Sequence, residues 1–259
     1  MTDIDDLTAQ ETVDLVRAKR GKATRHHLDV TDSAGWEAVV AEHGVPDVLV
    51  NNAGMVVGGA FLDHSAEDWE RQLGVNLFGV IHGCRVVGRA MVERGRGGHI
   101  VNIASAASFT PVPSLPAYCV SKAGVKMLSE CLRQELAPHG IGVTAICPGL
   151  INTNIGEHGV LVGVDEATRR AAAERLGALR ERLPLDLVAG PGTVARAVHA
   201  AVRLDLAVVP VRPEAWYGYV MSRVSPSLVR RTTQPFNGQL LQRVLPAAPA
   251  PAAVTKEAG

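Results

Sequence analysis

Long apolar runs, paired cysteines and an excess of one charge are all missing from this chain. No uninterrupted apolar stretch is long enough to cross a bilayer, and the start carries no signal-peptide pattern. A cytoplasmic protein without a transmembrane segment is expected. Lysine plus arginine and aspartate plus glutamate each number 26, which argues against nucleic acid or an anionic membrane as a general partner. The four cysteines, Cys84, Cys119, Cys131 and Cys147, have no close paired spacing. They read as reduced, mostly buried thiols with neither a metal nor a redox role. The histidines are scattered and suggest no metal site. Aromatic residues make up 4%, with only three tyrosines.

What remains is ordinary for a globular chain: 259 residues, 47% hydrophobic and 20% charged, enough for one large α/β domain with a substantial core. Short Val/Ile-rich runs alternate with longer helical patterns. "KATRHHLDV" leads into a helix near Ser33–His43, and "PDVLVNNAG" reads as a buried strand ending in a turn. A long helix is expected from about Ala66 to Arg94, followed by the strand "HIVNIAS". A helix from about Ala117 to Ala137 and the strand "IGVTAICPG" come next. This alternation implies parallel strands joined by crossover helices, hence an α/β doubly wound sheet. Such sheets bind ligands beyond the carboxyl ends of their strands.

Those ends hold the polar residues. "NNAG" follows "DVLV", Ser105 follows "HIVNIA", and "CPGLINT" follows "IGVTAI". Each alone also fits ordinary turn chemistry. Near them, Tyr118 and Lys122 stand four residues apart and share a helix face. An ammonium beside a phenol lowers the tyrosine pKa, which would make Tyr118 an acid or base near neutral pH. The pair by itself also fits a half-buried tyrosine beside a solvated lysine.

Together, "DVTD" (29–32), "NNAG" (51–54), "VNLFG" (75–79), "NIAS" (102–105), "YCVSK" (118–122) and "PGLINT" (148–153) resemble the short-chain dehydrogenase/reductase family in its single-domain subtype. The motifs follow the family order, and Ser105 precedes Tyr118 by 13 residues. The resemblance runs from about Asp3 to Val211. It implies a Rossmann-like sheet and an oxidoreductase that interconverts a secondary alcohol and a ketone with NAD, NADP being the less favoured cofactor. By the same resemblance Tyr118 exchanges a proton with the substrate oxygen, and Lys122 lowers its pKa and binds the nicotinamide ribose. Ser105 hydrogen-bonds the substrate oxygen, and Asn76 positions Lys122 through a water-linked relay. Cofactor contacts are implied for Asp29 and Val30 at the adenine, for Asn51, Asn52, Ala53 and Gly54 along the backbone, and for Thr153 at the nicotinamide amide. Epimerase and dehydratase relatives share the tyrosine–lysine pair, but "NNAG" and the short length argue against them. A homo-oligomer built through the two long helices is also implied.

The family's opening strand, glycine-rich turn and helix find no match at the start of this sequence. "MTDIDDLTAQ" instead resembles the end of the second strand and the helix after it. Asp3 then stands where a carboxylate binds the adenosine ribose, which disfavours a 2′-phosphate. Asp3 also fits a helix cap, and Asp5 competes for either role. The "DVLV" strand is expected to lack one neighbour and to leave apolar surface open. A misplaced start with roughly thirty further residues before it is the expectation. The rival is a short, non-catalytic form that acts by binding or association.

Downstream, about Asn154 to Leu183 is expected to form a substrate loop and the charged helix "EATRRAAAERLGALRERL". The domain is expected to end near 211 with the strand "LAVVPV". An amphipathic extension over 212–246 comes next, then a disordered tail over 247–259. The extension carries Trp216, Tyr217, Tyr219 and Met221. It fits a cap on an apolar or lipid-like substrate, a membrane-surface contact, or a helix packed on the domain or on a second subunit.

Overall fold

The computed structural model describes residues 1–151, 159–168, 170–171, 174, 189–225 and 227. Eight short strands run through it: β1 (Thr2–Asp3), β2 (His26–His27), β3 (Val48–Asn51), β4 (Val57–Gly58), β5 (Gly98–Ile103), β6 (Ile141–Pro148), β7 (Val160–Leu161) and β8 (Val208–Val211). The helices are α1 (Asp6–Ala18), α2 (Ser33–His43), α3 (Ala66–Leu73), α4 (Gly79–Arg94), α5 (Pro116–Leu136), α6 (Pro191–Leu204) and α7 (Pro213–Val224). The main sheet is fully parallel in the order β3-β5-β6-β8, flanked by helices on both faces. The expected doubly wound α/β architecture is therefore the observed one. β1 pairs with β2, and β4 with β7, as separate two-stranded parallel units.

Local chemistry explains where the helices start. Asp32 Oδ1 accepts from Ala34 N at 2.9 Å and opens α2. Ser65 and Asp68 form a reciprocal capping box at α3. Pro116 opens α5 with its fixed φ, where its missing N–H has no partner to lose. At the N-terminus Asp5, not Asp3, caps α1, accepting from Leu7 N at 2.9 Å and Thr8 N at 3.3 Å. That separates the two roles for which the carboxylates compete.

The core has two halves, one on each face of the sheet. Leu49, Ile100, Val143, Ala145 and Cys147 point toward α4 and α5, with Val87, Met91 and Val125 packed on them. Val101 and Ile146 point the other way, toward Ala201 of α6. The run "DVLV" has the composition of a strand buried on both faces, but, as expected from its missing neighbour, only one face of β3 is covered among the described residues. Leu49 and Asn51 are buried, whereas Val48 and Val50 are 41% and 43% exposed. The reason is reach: α6 packs on β5, β6 and β8, and among the described residues β3 pairs on one side only.

Burial sorts the thiols. Cys84 and Cys147 are buried, and burial pushes both up to about 12. Cys119 is half-buried and also raised by burial, while Cys131 is exposed, which corrects the expectation of mostly buried thiols. A thiol-reactive disulfide added to the native chain at pH 8 is expected to modify Cys131 first and Cys119 more slowly. Cys84 and Cys147 should react only after unfolding. Rapid modification of all four in the native chain would contradict this packing.

Candidate active site

Because β3, β5 and β6 are parallel, their carboxyl ends open on one edge of the sheet. β3 ends at Asn51, and Asn52, Ala53 and Gly54 follow as an exposed turn. Past β5, Ser105 stays extended, and its Oγ accepts from Ala107 N at 3.1 Å. That cap starts a 3-10 turn over 106–108 and holds the serine hydroxyl at the edge. Tyr118 and Lys122 lie one turn apart near the start of α5.

The lysine is not solvated. Lys122 is 3% exposed, and its Nζ donates to the Ile103 carbonyl at 2.8 Å. Its own carbonyl accepts from Ser108 Oγ at 2.8 Å. Lys122 is thus tied at both ends to the segment that carries Ser105. The Ser105 hydroxyl lies near enough to the Tyr118 phenol to favour its charged form, which places the three side chains in one neighbourhood.

Electrostatics here differ from the expectation that Lys122 lowers the tyrosine pKa. Burial raises Tyr118 above the usual tyrosine value, and the nearby Ser105 hydroxyl only partly opposes it. The lysine sits 5.9 Å from the ring centroid with its Nζ hydrogen-bonded to Ile103. Burial pulls Lys122 itself down to about 8. Removing an ion from water outweighs an opposite charge that is weakly aimed. At neutral pH Tyr118 is therefore a phenol, poised to give a proton.

Asn76 enters by a route that helical periodicity does not reveal. The long helix expected over Ala66–Arg94 is interrupted by a π turn at Gly74–Phe78. One extra residue in that turn rotates α4 relative to α3, and such turns recur at functional sites. Here the turn buries Asn76 completely. Its Oδ1 accepts from Met55 N at 2.8 Å, and its Nδ2 donates to Met55 O at 3.0 Å and Ser121 Oγ at 3.2 Å. These bonds clamp the turn after β3 onto α5 and do not reach Lys122 directly. A Cβ at Gly54 would meet Asn76 Oδ1 and Lys122 Nζ, each at 3.5 Å, so the three converge.

Two further residues complete the support: Gln72, which carries no clear signal in the sequence, and Asn102, which opens the motif "NIAS" without a role implied for it there. Gln72 is buried; its Oε1 accepts from Val57 N at 2.7 Å and its Nε2 donates to Met55 O at 2.9 Å. It stands four residues before Asn76, a spacing visible in the sequence but lost among the charged residues of "AEDWERQL". Asn102 links the strands, its Oδ1 accepting from Asn51 Nδ2 at 2.8 Å and its Nδ2 donating to Ser129 Oγ at 2.9 Å. The Asn51 side chain thus faces inward, away from the exposed turn. Gln72→Ala leaves Val57 N without this acceptor and removes one donor from Met55 O. It is expected to destabilise the chain by about 2–4 kcal/mol in urea unfolding.

The pattern of the short chain dehydrogenase family matches residues 1–159. The chain belongs to the short-chain dehydrogenase family. It is 46% identical over 245 residues to a protein named probable oxidoreductase EphD of Mycobacterium tuberculosis, covering 90% of this chain and 40% of that protein. The chain thus spans well under half the length of this mycobacterial relative. Over 197 residues it is 36% identical to 3beta-hydroxysteroid dehydrogenase 1 of Eggerthella lenta, covering 74% of this chain and 72% of that one. Among solved structures it resembles a short-chain dehydrogenase/reductase of Burkholderia phymatum in complex with NAD. That match has a TM-score of 0.71 and 27% identity, covering 92% of this chain and 84% of that one.

The other positions implied by the short-chain dehydrogenase motifs lie farther out. Asp3 ends β1, its Oδ1 accepting from Asp5 N at 3.0 Å. Asp29 spends Oδ1 on the Thr31 amide at 2.9 Å and hydroxyl at 2.8 Å. Val30 is half-buried against Gly79, and its carbonyl accepts from Trp36 Nε1 at 3.1 Å. Thr153, most of the expected substrate loop and its charged helix lie outside the described residues. So do nearly all of the extension beyond Ser225 and the tail.

Within the described extension, α7 packs its small residues, Ala215 and Gly218, inward. Tyr219 stacks edge-on against Phe109 at 5.2 Å, four residues past Ser105, and Arg223 lies 4.4 Å over the Tyr219 ring. Among the described residues no helix is long and apolar enough to cross a membrane.

Proposed function

We propose that this chain is an NAD-dependent oxidoreductase interconverting a secondary alcohol and a ketone, with Tyr118, Ser105 and Lys122 as its catalytic residues. The observation that carries the reading is buried Lys122, bonded to Ile103 O and 5.9 Å from the Tyr118 ring, with Ser105 beside them at the carboxyl edge of the sheet. A bound nicotinamide cofactor would supply or accept the hydride. Tyr118, neutral at pH 7, gives its proton to the substrate oxygen as negative charge develops there. The Ser105 hydroxyl donates to the same oxygen and stabilises that charge. Lys122 keeps two ammonium protons free of the Ile103 bond, and these suit ribose hydroxyls. Asn76 acts through position, holding the Asn52–Gly54 turn against α5.

The residues present fit the nicotinamide end of the cofactor: Gly54 offers close backbone approach, and Lys122 is a donor beneath it. Among the described residues no glycine-rich turn beside β3 offers amides to a pyrophosphate. At the far end Asp3, free of helix capping, supports NAD over NADP through the ribose hydroxyls. The wall of Phe109, Tyr219 and Trp216 beside the Ser105 turn supports an apolar substrate. The groove between α4 and α5, lined by Ile81, Gly88, Leu128, Leu132 and Leu136, is the surface that suits a second copy.

A thermal shift of the full chain with NADH and with NADPH tests the reading. A ligand that binds only the folded state raises the melting temperature by mass action. A larger rise with NADH is the expected result. A folded chain that ignores both nucleotides would overturn it in favour of a non-catalytic binding protein.

A further inference from the structure

Among the described residues the small β1–β2 sheet has no hydrogen-bonded neighbour in the main sheet, and one side-chain group bridges it to α2. His26 lies on β2, while Glu42 and His43 lie in the last turn of α2. Their donor atoms cluster tightly. His26 Nδ1 is 3.3 Å from His43 Nε2 and 3.3 Å from Glu42 Oε2, and His43 Nε2 is 3.5 Å from Glu42 Oε1. The two imidazoles meet nearly at right angles, with centroids 5.3 Å apart.

We propose that His26, Glu42 and His43 form a binding site for a divalent transition metal, with zinc the best-matched ion. Zinc–nitrogen and zinc–oxygen bonds of about 2.0–2.1 Å in a tetrahedron place ligand atoms about 3.3–3.4 Å apart. The His26 Nδ1–His43 Nε2 separation is that of one tetrahedral edge, and one Glu42 oxygen lies within 4.8 Å of both nitrogens, so a small turn of this exposed carboxylate would complete the face. Two imidazoles and one carboxylate are also a donor set that zinc accepts. Lysine and arginine are absent from the group, and the carbonyl end of α2 adds negative potential. Glu42 is largely exposed, which leaves a fourth position for water.

Backbone hydrogen bonds anchor the segments that carry the site. The His26 amide donates to Met1 O at 2.9 Å, which holds it in the β1–β2 pair, and the Gly44 amide closes α2 by donating to Val40 O at 2.9 Å. Since α2 packs on α4, a bound ion would staple the β1–β2 unit to the core. It would do so on the strand pair that carries Asp3, far from Tyr118 in sequence and independent of the proton chemistry. The alternative is a plain imidazole–imidazole hydrogen bond with Glu42 as a charge partner, which would need no metal.

The test uses the full chain after chelator treatment, titrated with zinc alone at neutral pH. One zinc per chain is expected at about 100 µM metal, with a rise in melting temperature. His43→Ala and Glu42→Gln are both surface changes and should fold; each is expected to weaken binding at least about tenfold and to remove most of the thermal shift. Cobalt in place of zinc should give the visible bands of a nitrogen and oxygen site without the thiolate charge-transfer band that exposed Cys131 would produce. Equal zinc affinity in the parent and His43→Ala would overturn the proposal, as would a parent chain that binds no zinc.

Discussion

Replacing Tyr118 by phenylalanine is expected to reduce kcat by about 10²–10⁴-fold, the usual worth of a positioned proton donor. The ring keeps its place at the start of α5, so the change removes the hydroxyl and little else. Cofactor-induced stabilisation should survive, because the proposed ribose contacts come from Lys122 and the turn over 52–54. The phenol is held neutral by burial, with Ser105 opposing only in part. Ketone reduction should therefore show no loss of the donor as pH rises through neutrality toward 9. Steady-state rates with NADH and a panel of apolar ketones provide the measurement. A phenylalanine variant with more than about a tenth of the parent rate would refute the role.

Lys122→Met should have the opposite signature, lowering turnover and nucleotide affinity together while making the free chain more stable. Burial lowers the lysine from 10.5 to about 8, so folding disfavours the ammonium. The unfolded chain holds this proton more tightly, so stability from this group rises with pH between about 8 and 10.5. Below about 8 the penalty is fully present and amounts to about 3 kcal/mol. Methionine removes it but also loses the bond to Ile103, worth about 1 kcal/mol. The variant should then gain about 2 kcal/mol at pH 7, a gain that fades as the parent sheds its proton above about 8. Burial pushes Cys84 and Cys147 up to about 12, so both stay neutral thiols in the folded parent and variant at pH 7 and 9.5, and the charge interaction between Lys122 and Cys147 enters only at higher pH. Paired denaturant curves at pH 7 and 9.5 check the stability, and thermal shifts with NADH check the affinity. A variant less stable than the parent at pH 7 would mean that the buried ammonium is well compensated.

Both expectations rest on a site that is only partly legible in the sequence. The helix expected near Ser33–His43 forms with those bounds, and the one expected from about Ala117 to Ala137 runs Pro116–Leu136. Both have strong local signals, a cap in the first and an opening proline in the second. The crossover helix over Pro191–Leu204 is harder to see, because its apolar face is made largely of alanine and valine. β4 and β7 are two residues each and leave no periodicity to detect. Gln72 is hidden for a different reason: nothing in a charged segment announces which polar residue will be buried.

By itself, the sequence determined the alternation of strands and helices and the parallel sheet, which come from periodicity and local turn chemistry. The family, and Ser105, Tyr118 and Lys122 as its candidate site, were legible only through the resemblance of six ordered motifs to known proteins. Only the tertiary structure decided that Lys122 is buried and bonded to Ile103, that burial raises Tyr118, and that a π turn aims Asn76 at Met55. It also brought His26 to Glu42 and His43. Each of these depends on desolvation or on contacts between residues distant in sequence, and neither is encoded in any short window of residues.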